Sequence, residues 1–493
     1  MIVGSLVETR GLGDEHYDAI VVGTGFAGAF FLKRWLEHAS PSARVLVLER
    51  GNRDDKAWQI ANHRSSSIEG TELFTNRNPD KEWLTSPGFG GNSKCWWGGA
   101  TRMMPGDFEL SSRHGVGIDW PLTYDELERH YSDAEVIMAV SGPADSPMPR
   151  SRPFPLPPHR MSDPDQLLKK AFPDLWFAPA TARASASTGT RGVCCASGVC
   201  ELCPTDAKFT IDNGLRGIYS DPRVTLRYRA EVSAVQTTGA IATGVTYTDG
   251  GIERRASADL VVLAASALFN PHILLRSGID DPLIGKRLHE QLPIDVCMNL
   301  RGVKSYNGST MISANGYLFY EGDHRRDRAA CLIETWNSPF AYQRASLRAE
   351  RGRWTERAYM RFLFDDLPRD DNVVGVDPAR PELADVRFNG YSTYARRAAT
   401  RVRDMVDVLA SALPIEEITE ISEGRTAGHI QGTVVMGNDP ATSVVDRHLI
   451  HHRIRNLLVL GASAFPTASP AYPSLTVSAL SLRTADHLFA GHA

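Results

Sequence analysis

The stretch from Tyr17 to Gly51, YDAIVVGTGFAGAFFLKRWLEHASPSARVLVLERG, constrains this chain more than any other. Ala19 to Val22 is a short continuous apolar run, the pattern of a strand buried on both faces. It breaks into Gly23, Gly25 and Gly28. The first glycine permits a tight turn, the second lets the backbone approach a pyrophosphate, and the third lets a helix over Ala27 to His38 pack closely on the sheet. Phe26 opens that helix, whose unpaired N–H groups attract phosphate. Arg44 to Leu48 is a second apolar run, and it delivers Glu49 and Arg50 about 20 residues past the glycines, where a carboxylate can take two ribose hydroxyls. A lone G-x-G-x-x-G is weak, but here strand, turn, helix, strand and acid follow in order. The pattern predicts an α/β fold with a Rossmann-like dinucleotide domain. Its place at the start of the sequence points to FAD rather than NAD.

At 493 residues the chain exceeds what one core usually holds, so two domains are expected. A net charge of -4 favours neither nucleic acid nor an anionic membrane surface. The first sixteen residues lack a basic-then-apolar run, and no apolar segment reaches about 18 residues. The expectation is a cytoplasmic protein with no membrane span. Of seven cysteines, four fall between Cys194 and Cys203, which is not the layout of a secreted disulfide framework. A reducing compartment, or cysteines occupied by metal, fits better.

Between Pro87 and Arg102 the glycine density (PGFGGNSKCWWGGATR, with Gly91, Asn92 and Ser93 at its centre) predicts backbone lying against something flat or anionic, with Trp96 and Trp97 as a wall. Thr123 and Glu126 form a capping box for a helix running to Met138. Residues 141–163 read as a boundary loop. From Val224 to Gly278 the pattern is strand, hairpin, strand, with Gly250-Gly251 as turn, and a proline-started helix follows from Asn270. Residues 290–420 read as a second domain on an antiparallel sheet, and Tyr394 to Leu413 as its clearest helix, with Arg396, Arg397, Arg401 and Arg403 on a solvated face. The tail returns to doubly wound character, with a strand at Leu457 to Leu460 and a helix from Leu475 to Phe489.

With these stations in this order, the chain resembles the glucose-methanol-choline (GMC) flavoprotein oxidoreductases. The most specific stretches are GHIQGTVVMGNDPATSVVD and GASAFPTASPAYPSLTVSALSLRTADHL. The cysteine group with CPTDAK and the GASAFPT form resemble the bacterial sugar and polyol dehydrogenase branch. The resemblance implies a discontinuous FAD domain (1–120, 190–290 and 430–493) and a substrate domain (121–189 and 291–429). It implies oxidation of an alcohol CH–OH of a sugar, polyol, glycoside or related cyclic alcohol, with a hydride passing to flavin N5.

His429, in His-x-x-Gly-Thr, matches the family's catalytic histidine, and an imidazole's ordinary pKa of about 6.5 suits a base. The second catalytic place departs from the pattern, because Tyr472 stands where the family usually has Asn or His before Pro473, Ser474 and Leu475. Gly461, followed by Ala462, stands where many members carry an Asp toward the cofactor. Val232 completes the expected cofactor set. No histidine occupies the GGNSKCWW stretch, so noncovalent FAD is expected.

Cys194, Cys195, Cys200 and Cys203 admit two readings. Their spacing resembles an iron–sulfur run with proline after the last cysteine, although the last interval is one residue short. The other reading is a buried thiol cluster or a zinc knot. Electrons would go to a quinone, a cytochrome, an acceptor protein or a cluster. An oxygen-using oxidase, and a lyase or decarboxylase that keeps FAD without net oxidation, are the alternatives.

Overall fold

The structure is a computed structural model and describes residues 16–338 and 352–490. The start of the segment read as lacking a secretion signal, residues 1–15, therefore lies outside the described residues.

Strand His16–Val22 sits at the middle of a seven-stranded sheet, parallel to Val45–Leu48 on one side and to Ile252–Leu263 on the other. Val224–Arg227 extends the parallel part beyond Val45–Leu48, and Leu457–Val459 pairs the far end of Ile252–Leu263. The remaining strands, Ile241–Asp249 and Ala230–Thr238, form an antiparallel extension. Every residue of Val45–Leu48 is buried, as a parallel strand covered on both faces requires. Helices Phe26–His38 and Pro473–Phe489 pack on this sheet.

A second sheet of six strands runs Ile415–Glu423, Leu292–Leu300, Arg357–Phe364, Cys331–Trp336, Ile312–Phe319 and Trp176–Phe177, antiparallel throughout. The period-2 alternation of a strand sorts its side chains. Ile294, Val296, Met298, Ile333, Met360 and Phe362 face a core closed by helices Thr393–Ala399 and Val402–Leu409. The intervening residues face the other way, toward the first sheet. A small third sheet joins Phe74–Asn76 to Ala384–Arg387 and Val373–Val376.

Several expectations need correction. The helix read from Tyr394 to Leu413 is two helices, because Thr400 turns its hydroxyl onto the Arg397 carbonyl and the chain re-enters helix only at Val402. Its arginines do form exposed pairs, Arg396 with Glu423 and Arg401 with Asp404. The helix expected from Asn270 starts at Ser266. Asn270 Oδ1 reaches back to accept from Ala265 N at 2.8 Å, and the Ala267 carbonyl that Pro271 cannot bond instead accepts from Thr433 Oγ1 at 2.7 Å. The capping-box helix Tyr124–Met138, placed above in the substrate domain, buries Leu127, Tyr131, Ala134 and Met138 in the core of the first sheet. Its Tyr131 hydroxyl lies 2.8 Å from Thr476 Oγ1 on the carboxy-terminal helix.

Candidate active site

A cavity of about 660 Å³ lies between the two large sheets, a size usual for cofactor and substrate pockets. On the first-sheet side the glycines do what their spacing predicts. Gly23 has φ +99°, and a Cβ there would stand 2.6 Å from the Ala264 carbonyl oxygen. Gly28 lies so close beneath that a Cβ would come within 2.1 Å of the Gly23 oxygen. Gly25 has no heavy atom within 4 Å of an added Cβ, because it opens on the cavity at the start of helix Phe26–His38. Gly91, φ +50°, brings the second glycine loop against it, its Cβ position 3.2 Å from Gly25 Cα.

Glu49 joins these two loops. Its carboxylate accepts from Thr24 N (3.1 Å), Thr24 Oγ1 (2.6 Å), Gly51 N (3.0 Å) and Gly88 N (3.1 Å). Those donors fill the about four acceptor positions of a carboxylate, so Glu49 is a clamp here, and a ribose hydroxyl would have to displace one of them. Arg50 pairs with Glu231, and both line the cavity, so Glu231 is a further carboxylate at this end that sequence reasoning missed.

Phe26, Asn92, Val232, Gly461, Ala462, Pro473 and Ser474 also line the cavity. Ser93 and Leu475 do not. Ser93 is fully buried, donating to the Gly90 carbonyl and accepting from Ile211 N, and Leu475 belongs to the core. Gly28 acts from beneath, through packing. Trp96 and Trp97 diverge: the first meets Phe26 edge-on at 4.7 Å, the second meets Trp336 at 4.7 Å.

The residues present fit FAD. Beyond the open Gly25 cradle, Arg50 Nη1, Thr85 Oγ1 and Ser266 Oγ are buried polar atoms on cavity-lining residues, and none has a protein partner. Buried donors without partners are costly unless a ligand satisfies them.

The second-sheet side is built from side chains. In register across four strands lie Asn315, Glu334, Arg361 and Asp295, each opposite the next. Arg361 holds Asp295 with two bonds, at 2.7 and 2.9 Å, and its guanidinium lies 4.5 Å from the Trp336 ring centre. Glu334 accepts from Trp336 Nε1 at 2.8 Å. Burial pushes the Glu334 carboxyl above its ordinary range, and Arg361 opposes that.

His429 opens on this part of the cavity. Its Nδ1 lies 2.9 Å from Gln291 Oε1, while Gln291 Nε2 donates to the Ser469 and Ala471 carbonyls at 2.8 and 3.0 Å. Those two bonds orient the amide, so the oxygen faces the histidine and Nδ1 must carry the proton. Nε2 is then the free lone pair. Burial, and then the charge of Arg361, lower the imidazole to about 3, far below the ordinary value, so the ring is neutral at working pH. The loop is fixed by Glu290, which accepts from Thr426 Oγ1, Ala427 N and His429 N and pairs with buried Lys81. Gln291, Glu290 and Lys81 were not read from the sequence; a charged or amide group inside an apolar strand approach was the available signal.

Tyr472 lies beside His429, ring centres 5.8 Å apart. It is only 5% exposed and packs face-on against Gly99, where any Cβ would meet its ring at 2.5 Å. Its hydroxyl accepts from Asn315 Nδ2 at 3.1 Å and is hydrogen-bonded to Glu334. Burial first, and Glu334 next, push the phenol well above its ordinary range.

The four clustered cysteines do not assemble a metal site. Cys194 Sγ turns to Thr310 Oγ1 (3.6 Å), Cys200 Sγ to Met311 Sδ (3.3 Å) and Cys203 Sγ to Thr205 Oγ1 (3.9 Å), while Cys195 is exposed. Among the described residues no group of three or more His, Cys, Asp or Glu side chains is arranged to hold a metal ion. The residues therefore do not fit an iron–sulfur cluster, and the short last interval is consistent with that.

Across 95% of its length the chain is 25% identical to the fructose dehydrogenase large subunit of Gluconobacter japonicus, covering 97% of that protein. It is likewise 25% identical, over 94% of its length and 92% of the relative's, to the gluconate 2-dehydrogenase flavoprotein of Pantoea cypripedii. Among solved structures, pyridoxine 4-oxidase from Mesorbium loti superposes with a TM-score of 0.69 at 18% identity, over 97% of this chain and all of that one, which shows a shared fold. The family models named GMC oxidoreductase match residues 161–293 and 373–481, which between them hold the antiparallel extension of the first sheet, the edge strand Ile415–Glu423 of the second, the His429 loop and the start of the last helix. The chain belongs to the GMC oxidoreductases.

Proposed function

We propose that the protein oxidises the CH–OH group of a sugar, polyol, glycoside or related cyclic alcohol to a carbonyl, with His429 as the base. The observation that carries this is the tautomer of His429, fixed by Gln291 so that a neutral Nε2 lone pair meets the cavity. FAD, when bound, supplies at flavin N5 the acceptor for the hydride. Nε2 takes the hydroxyl proton as the hydride departs, so the alcohol loses both and becomes the carbonyl. A pKa of about 3 makes the resting imidazole a weak base, but the hydroxyl proton grows far more acidic as its carbon loses the hydride. The Glu290 bonds to the loop keep the ring in place, and Trp97, Trp336 and Tyr359 supply aromatic wall to the cavity.

The absence of a histidine from GGNSKCWW supports noncovalent FAD. Because the related fructose dehydrogenase chain is a large subunit, a partner subunit is the acceptor we favour. Among the described residues no helix is long and apolar enough to cross a membrane. The test is spectroscopic. Purified protein should be yellow, acid or heat should release FAD, and a panel of sugars and polyols should bleach the flavin without oxygen. A protein that cannot be loaded with FAD, or a flavin that no alcohol reduces, overturns the reading. Oxygen uptake during turnover would select the oxidase alternative.

A further inference from the structure

We infer that Glu334, rather than Tyr472, is the second side chain that touches the substrate, and that it receives a hydroxyl neighbouring the one oxidised. This rests on the oxidation reading for its geometry. The polar row Asn315, Glu334, Arg361 and Asp295 crosses the centre of a sheet whose opposite face is apolar. Placing four such groups there is costly unless each is satisfied.

The other three are tied mainly to protein partners. Asp295 is taken at both oxygens by Arg361, whose charge balances its own. Asn315 gives its amide hydrogen to Tyr472 Oη. The tyrosine's only hydrogen goes to Glu334, so its hydroxyl has one donor in, one donor out, and no free hydrogen for a ligand. Glu334 is different. It lines the cavity, and a carboxylate offers about four acceptor positions, of which Trp336 Nε1 and the Tyr472 hydroxyl occupy two.

Asn315 Oδ1 also has no partner, but Asn315 does not line the cavity; Glu334 does, and its unfilled acceptors call for a ligand that brings a hydrogen. Tyr472 touches both His429, by its ring, and Glu334, by its hydroxyl, so base and carboxylate flank one phenol. A substrate carrying hydroxyls on adjacent carbons can meet both at once. A simple alcohol meets only the base. Tyr472 then acts as a positioning residue: it holds Glu334, and Gly99 gives its ring room.

The experiment compares trans-1,2-cyclohexanediol with cyclohexanol on FAD-loaded protein. Dissociation constants are read from the perturbed visible flavin spectrum in His429→Ala, where turnover is suppressed, and again in His429→Ala with Glu334→Gln. Loss of a hydrogen bond to a charged group should weaken the diol about 10- to 150-fold more than the mono-alcohol. Glu334→Asp, which keeps the charge at shorter reach, should recover part of that preference. Equal weakening of both ligands, or unchanged affinity for the diol, overturns the proposal. If no alcohol reduces the wild-type flavin, the oxidation reading fails instead, and the binding comparison still reports on Glu334.

Discussion

The two walls of the cavity recognise by opposite means. On the first-sheet wall the work falls to backbone: Gly23, Gly25 and Gly28 remove side chains so that the turn, the open cradle and the helix contact can exist. On the second-sheet wall it falls to side chains drawn from distant segments, with Gln291, Asp295, Glu334, Arg361 and His429 brought together by strand register. Backbone recognition tolerates little change and serves a ligand that does not vary. Side-chain recognition can be exchanged residue by residue, and it carries specificity.

The largest effect should come from breaking the first wall. Gly28→Val places a side chain into the Gly23 carbonyl, where even a Cβ stands 2.1 Å away, so the variant should be insoluble or colourless. Gly25→Ala meets no protein atom and should fold, yet hold FAD more weakly. Soluble yield and flavin absorbance separate the two. A yellow, stable Gly28→Val would remove the packing argument.

Acid should strain both walls together. Burial depresses His159, His272, His289 and His451 to about 4 and His429 to about 3, below the ordinary 6.5. Between those values the unfolded chain binds protons that the folded chain refuses, so stability present above pH 6.5 is lost progressively as pH falls toward 4. Urea midpoints across that window should fall steadily. A flat profile would mean these rings are not held neutral.

Gln291→Leu probes the second wall alone. It leaves a buried Nδ1–H unpaired and frees the tautomer, a cost of about 1–3 kcal/mol, or about 5- to 150-fold in the rate of flavin reduction, with FAD retained. Loss of FAD in step with the rate would make Gln291 a structural residue only. Smallest is Tyr472→Phe, which removes a hydroxyl that touches only the neighbouring Asn315 and Glu334 side chains and should slow reduction by about 2- to 13-fold, or 0.5–1.5 kcal/mol. A loss of several hundredfold there would return the phenol to direct contact with substrate.

The same contrast explains what could be read beforehand. The first wall is local in sequence, so strand, glycines, helix and Glu49 were legible as one pattern, as was the antiparallel character of residues 290–420. Glu49's clamp role was not, because Gly88 lies in another loop. Nor was the cross-strand row, since Glu334 and Arg361 become neighbours only once register is set. The start of the helix at Ser266 depended on Asn270 reaching back to Ala265, and Tyr124–Met138, read with the substrate domain, buries its apolar face in the first core. Spacing alone left the cysteines undecided; their separate partners decided against a cluster.

The central claim is that His429 Nε2 takes the substrate's proton. Its direct test is the anaerobic rate of flavin reduction by a saturating polyol in wild type and His429→Ala, both loaded with FAD. The variant should stay yellow and reduce about 10²- to 10⁴-fold more slowly, the usual worth of a positioned acid–base group. Equal rates in the two proteins would contradict it.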